Sequence, residues 1–255
     1  MTAYRYVRLG VLPAQKVGGT WQVQPQDVHR LRAESAAPSA AGRARRAPWA
    51  TRYEARLRAG DDGGAWGVVE RALSAGTEPQ RVLLDVVAPA MRSIGDAWER
   101  GELDVAEEHR ASQVALRTIG RLGPRFSRRG RSKGTVVVGA VEGERHSLPL
   151  FVLADLLRGA GWTVTDLGGD VPTPSFASIV AGTDGLVAVG VSVSTASNLD
   201  RVPSVVDALR EVTSVPVLVG GRAVGDEHHA RRLGGDGWAP DGGACAELLG
   251  TLTAR

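Results

Sequence analysis

One cysteine, Cys245, stands alone in 255 residues. A single thiol excludes an internal disulfide and any cysteine-cluster metal site. No apolar run approaches the ~20 residues that a membrane-spanning helix needs. The N-terminus carries early arginines but no apolar signal core. The chain therefore reads as soluble and cytoplasmic, with no membrane partner. Also missing are a phosphate-cradling glycine loop, a nucleophile elbow and the paired carboxylates of a glycosidase. Those absences argue against an enzyme acting on its own. Acidic residues are scarce at one end only: residues 1–58 hold 11 Lys/Arg against 3 Asp/Glu, and the remainder holds 20 against 25. A basic head on an acidic body points to a polyanion partner for the head alone. On charge alone, a solubilising tail fits equally.

Residues 35–50 (Ala, Pro, Ser and Arg without apolar periodicity) read as a linker. Residues 51–125 read as a bundle of about four helices. Trp66, Val69 and Leu73 recur at helical spacing, as do Val82, Val86, Ala90, Ile94 and Trp98. A short helix lies near Tyr53–Leu57, and Asp104-Val105-Ala106-Glu107 has the form of a capping box opening the last one. From residue 134 to 255, strands and helices alternate. Strands are expected at Thr135–Ala140, Thr163–Asp166, Leu186–Ser192, Pro216–Gly220 and Asp236–Ala239. Helices are expected near 148–159, 174–182, 200–212, 224–233 and 241–253. Such alternation predicts a flavodoxin-like (Rossmann-type) α/β domain with a five-stranded parallel sheet of order 2-1-3-4-5. The whole chain is thus multidomain.

The chemistry concentrates where the first of these strands ends. Val137–Val141 runs into Glu142-Gly143-Glu144-Arg145-His146, a polar loop closing on one histidine. Ligands of open α/β sheets bind at the carboxyl ends of strands. A neutral imidazole there can bind a metal, with a nearby carboxylate holding the opposite ring nitrogen; an ordinary loop histidine is the alternative. Ser192-Val193-Ser194-Thr195 follows the third strand and Gly220-Gly221 the fourth, so three loops converge on one edge. Gly168-Gly169-Asp170 serves either a ligand rim or an ordinary turn. His228-His229 occupies adjacent helix positions facing different directions, which disfavours a shared metal. In the bundle, Trp98 ends one helix while Glu108 and His109 open the next. Taken singly, a helix-end Trp is core and a first-turn Glu suits the helix dipole.

Residues 1–34 resemble the C-terminal half of an excisionase/MerR-type winged helix. Thr2–Gly10 matches the recognition helix and Lys16–Val23 the wing, with a short helix opening at Asp27-Val28. The resemblance implies operator DNA as partner, met by Tyr4, Arg5, Arg8 and Lys16. The family's first helix is absent before Met1, where a shortened chain, a misassigned start or lost DNA binding are the choices.

Glu144-Arg145-His146, the Ser192/Ser194 loop, Gly220-Gly221 and the Trp98-x9-Glu108-His109 spacing together resemble the cobalamin module of CarH/LitR-type photoreceptor regulators. They are also similar, more distantly, to that of methionine synthase. The resemblance implies adenosylcobalamin (or methylcobalamin) as cofactor, with His146 as the lower ligand to cobalt and Glu144 behind it. It implies Glu142, Ser192, Ser194, Gly220 and Gly221 around the cofactor below, and Trp98, Glu108 and His109 over its upper face. The implied function is a light-responsive transcriptional regulator, a homo-oligomer and commonly a tetramer. Two departures stand out. Pro149 occupies the family's Gly position in the His-x-x-Gly loop. Glu99 replaces the histidine that, in several light-sensing relatives, takes the upper cobalt site. Rival readings are a corrinoid carrier for methyl transfer, a light-independent cobalamin sensor, and a fold that has lost cobalamin.

Overall fold

The computed structural model describes residues 14–17, 20–24, 26, 48–128 and 130–253. Contacts divide the chain into two units, Met1–Pro48 and Trp49–Arg255. In the first, β1 (Gln15–Val17) pairs antiparallel with β2 (Thr20–Gln22), with Val17 opposite Thr20. A hairpin is what the wing motif predicts, but among the described residues nothing builds it into a winged helix. Tyr4, Arg5, Arg8 and the Asp27-Val28 helix start lie outside the described residues. Lys16 lies on β1, its side chain likewise outside them.

The second unit opens with helices α1 (Trp49–Ala59) and α2 (Asp62–Ser74). Helix α1 starts at Trp49, inside the stretch that composition marks as linker. Asp61 caps α2 by accepting the Gly64 N–H at 2.8 Å. Next come α3 (Pro79–Val82), a π-helical turn (Leu83–Val87) and α4 (Ala88–Glu99). The wider turn has a cause in sequence. Pro89 has no N–H to give the carbonyl of Asp85, and the Ala88 N–H donates to Leu83, five residues back. Helix α5 (Val105–Leu122) begins with a complete capping box: Asp104 accepts from the Glu107 N–H at 2.7 Å, and Glu107 accepts from the Asp104 N–H at 2.9 Å.

The apolar stripes of these helices close on Tyr53, Leu57, Val69, Leu83, Ile94 and Ile119, all buried. The same core takes in Val152 and Leu156 from the domain that follows. Bundle and α/β domain therefore share apolar surface, each buried aliphatic side chain contributing ~1.5–3 kcal/mol.

That domain contains four parallel strands: β3 (Thr135–Ala140), β4 (Thr163–Asp166), β5 (Leu186–Ser192) and β6 (Val217–Gly220), in the order β4-β3-β5-β6. Their valine-rich runs suit a sheet covered on both faces. Helices α6 (Leu148–Gly159), α7 (Thr173–Ala181), α8 (Val202–Val212), α9 (Glu227–Arg232) and α10 (Gly242–Thr253) supply the cover. The expected fifth strand shrinks to one bridge between Leu218 and Gly237. Asp236 explains this: its side chain accepts the Val217 N–H at 2.8 Å, doing what a longer strand backbone would do. The chain leaves β3 for β4 on one side and returns to β5 on the other, so the crevice opens between β3 and β5.

Among the described residues no helix is long and apolar enough to cross a membrane.

Candidate functional site

The loop after β3 is held by a carboxylate that water does not reach. Glu144 is 0% exposed. Its Oε2 accepts the backbone N–H groups of Ser194 at 2.8 Å and Thr195 at 2.7 Å. Its Oε1 accepts the His146 backbone N–H at 3.1 Å and faces His146 Nδ1 at 2.5 Å. Burial alone would raise the Glu144 pKa. The imidazole of His146 and the N–H groups of Thr195, His146 and Ser194 more than offset it and hold it at about 2. The carboxylate is therefore charged, and Nδ1 is the ring nitrogen that carries a proton toward it. Nε2 makes no hydrogen bond to the described residues. The ring itself is half exposed at the crevice. A ring fixed through one nitrogen and open at the other is the arrangement a metal-binding histidine needs.

The neighbouring loops are built to that same point. Ser192 ends β5, buried, and its carbonyl accepts the Val141 N–H at 3.3 Å. The Ser194 Oγ is buried with no hydrogen-bond partner. An orphaned hydroxyl costs stability unless a ligand satisfies it. Gly221 has φ +108°, and a Cβ there would lie 2.2 Å from the Val193 carbonyl oxygen. A Cβ at Gly220 would meet nothing within 4 Å. One glycine is thus demanded by the protein, while the other leaves open space beside the crevice.

Two further residues complete the site, and their roles are not readable from sequence. Thr195 gives Glu144 a backbone N–H, and its hydroxyl lies 3.3 Å from His146 Nδ1. Asp170 adopts φ +56°, unusual for a residue with a side chain. Its N–H donates to the Glu144 carbonyl at 2.7 Å, and its carboxylate accepts the Gly143 N–H at 2.7 Å. Next to it, a Cβ on Gly169 would press within 2.7 Å of the same carbonyl. Gly168-Gly169-Asp170 is thereby a clamp on the histidine loop rather than an ordinary turn. The signal was present as a Gly-Gly-Asp triplet after a strand, which alone does not distinguish the two.

In the bundle, Trp98 sits in the last turn of α4 and is 43% exposed. Glu108, in the first turn of α5, is committed within its own helix: Oε1 accepts from Ser112 Oγ at 2.6 Å and Oε2 faces His109 Nδ1 at 2.7 Å. His109 is exposed. Glu142 lies exposed in the turn after β3 and makes no side-chain hydrogen bond to the described residues. His228 and His229 lie on α9, where the Asp226 side chain caps the helix by accepting the His229 N–H. Among the described residues no cluster of three metal-ligating side chains occurs. Cys245 is half-buried, and burial pushes its thiol up to about 11.

Two family models match this chain, both described as B12 binding domain: one covers residues 49–122 and the other residues 134–247. The first is the helical bundle, the second the α/β domain. The chain is 33% identical over 112 residues to trimethylamine corrinoid protein 1 of Methanosarcina acetivorans, covering 43% of this chain and 52% of that protein. It is 29% identical over 182 residues to the trimethylamine corrinoid protein of Methanosarcina barkeri, covering 69% and 83%. The structure of the Methanosarcina barkeri monomethylamine corrinoid protein superposes with a TM-score of 0.70 at 19% identity, over 80% of this chain and 96% of that one. The chain thus spans about half the length of the first of these relatives.

A B12-binding helical cap and a Rossmann-like α/β domain make up the body of this chain. The relatives correct the expectation of a CarH/LitR-type photoreceptor regulator. They carry the names of corrinoid proteins, not of light-responsive DNA-binding regulators. Operator DNA as a partner, and the DNA-binding tetramer that went with it, fall for the same reason.

Proposed function

We propose that this chain is a corrinoid carrier that moves methyl groups between partner methyltransferases and does not catalyse either transfer alone. One observation carries the reading: the buried Glu144 carboxylate holds His146 through Nδ1, while the ring stays half exposed with Nε2 unbonded to the described residues. A corrinoid bound there supplies a cobalt centre that accepts a methyl group and gives it up again.

The residues present fit that group. His146 would hold cobalt through Nε2. Glu144 would keep the ring oriented and raise its basicity as a ligand. The orphaned Ser194 hydroxyl would gain a partner in the cofactor's nucleotide tail, with Ser192 beside it at the end of β5. Gly220 leaves the space that a tail running past the β6 loop would fill. Trp98 would cover the bound group and keep water from it. Glu108 is already bonded to Ser112 and His109, and methylcobalamin is the form of the cofactor that a methyl carrier uses.

The experiment is to load the protein with methylcobalamin and measure methyl transfer to a thiol acceptor in the presence of a methylcobalamin-dependent methyltransferase. The carrier reading expects transfer that depends on His146. Loaded protein that neither accepts nor donates a methyl group with any such enzyme would contradict it.

A further inference from the structure

Helix α4 ends against the usual electrostatic preference. Asp96 and Glu99, one turn apart, put two carboxylates in its last turn, with no basic residue among them. A helix C-terminus already carries partial negative charge, and like charges at that spacing repel. The missing cation comes from the other domain. Arg222 Nη2 lies 2.9 Å from Asp96 Oδ1 and 2.8 Å from Glu99 Oε2. Its Nη1 lies against Gly95, where a Cβ would meet it at 3.3 Å.

The base of Arg222 is rigid. It follows Gly221, whose positive φ and close approach to Val193 fix the turn. The Ala223 N–H donates to the Val193 carbonyl at 3.3 Å, and the Val224 N–H to the Gly221 carbonyl at 3.0 Å. The Trp238 indole N–H then holds the Val224 carbonyl at 3.1 Å. One guanidinium thus ties the loop beside the crevice to the helical turn that presents Trp98, which lies between the two carboxylates in sequence.

We propose that Arg222 is a positioning residue: it clasps the end of helix α4 and so seats Trp98 over the upper side of the bound corrinoid. This rests on the carrier reading. All three side chains are about half exposed, so the clasp is weak and salt-sensitive. Weakness suits the task. A cap that covers the cobalt must move aside for each methyltransferase, and two half-exposed ion pairs bias closure by only roughly three- to tenfold.

Two readouts test it. In protein loaded with aquocobalamin, cyanide replaces the upper ligand at a rate read from the absorbance spectrum. Arg222→Ala is expected to speed that replacement roughly three- to tenfold, Arg222→Lys by less, and raised salt is expected to erase the difference. The triple variant Arg222→Glu with Asp96→Arg and Glu99→Arg is expected to restore the slow rate. In cofactor-free protein, amide exchange over residues 94–103 is expected to accelerate in Arg222→Ala and recover in the triple variant. Unchanged amide exchange in Arg222→Ala overturns the clasp. So does a cyanide rate within twofold of the parent protein. Failure to take up aquocobalamin at all would instead sink the carrier reading, and the exchange measurement would still decide the clasp.

Discussion

His146 Nδ1 lies 2.5 Å from Oε1 of Glu144, a carboxylate with no exposed surface, and the same carboxylate anchors the start of the loop after β5. One buried charge therefore sets the imidazole and joins two loops of the crevice. Glu144→Gln keeps the shape but presents an amide nitrogen where acceptors are needed. Corrinoid affinity is expected to fall about 10- to 100-fold, measured by titration with aquocobalamin. An unchanged dissociation constant would show that the ring is positioned by something else.

The charge on Glu144 also links folding to pH. Its folded pKa of about 2 lies below its ordinary value of 4.5, so ionisation favours the folded state. That contribution, on the order of 3 kcal/mol, is complete above pH 4.5 and disappears as pH falls from there toward 2. Urea unfolding midpoints between pH 6 and pH 3 should drop in the parent protein more steeply than in Glu144→Gln. Parallel curves would contradict this.

The two adjacent glycines should behave differently. Gly221→Ala forces a Cβ to within 2.2 Å of a carbonyl at a backbone angle that disfavours side chains. It is expected to destabilise the cofactor-free protein by about 2–4 kcal/mol. Gly220→Ala meets nothing within 4 Å. It should leave cofactor-free stability within about 0.5 kcal/mol while weakening corrinoid binding. Equal effects of the two on stability would remove the argument that space at Gly220 is kept for a ligand.

Asp170 combines a left-handed backbone with an acceptor for the Gly143 N–H. Asn tolerates that backbone and retains an acceptor oxygen. Gly relaxes the backbone but loses the acceptor, and Ala loses both advantages. The expected stability order is Asp and Asn together, then Gly, then Ala. The Ala variant should lie about 1–2 kcal/mol below the parent. Urea denaturation orders them, and an Ala variant as stable as the parent would deny the clamp.

Much of this was legible in sequence because periodicity and turn chemistry act locally. The β3 strand and its Glu-x-His loop, the Ser192/Ser194 loop and Gly220-Gly221 fall where the alternation of strands and helices puts them. The capping box at Asp104 was readable for the same reason. What stayed hidden depends on side chains meeting across space. Asp236 replaces strand backbone beside β6, so an apparent fifth strand collapses to a bridge. Asp170 and Thr195 act on a loop reached only through the fold. Glu99, notable in sequence for not being histidine, turns out to be paired with Arg222 from the other domain. The expected regulator rested on a likeness shared by different users of one cofactor, and relatives rather than geometry corrected it.

The carrier reading depends on the His146 imidazole reaching cobalt. It is tested by reducing the loaded protein to cobalt(II) and recording its electron paramagnetic resonance spectrum with histidine labelled by nitrogen-15. Ligation by one protein imidazole predicts that the nitrogen splitting changes from a triplet to a doublet on labelling, and that His146→Ala abolishes the change. A splitting indifferent to the label, or unaltered by His146→Ala, would contradict the account.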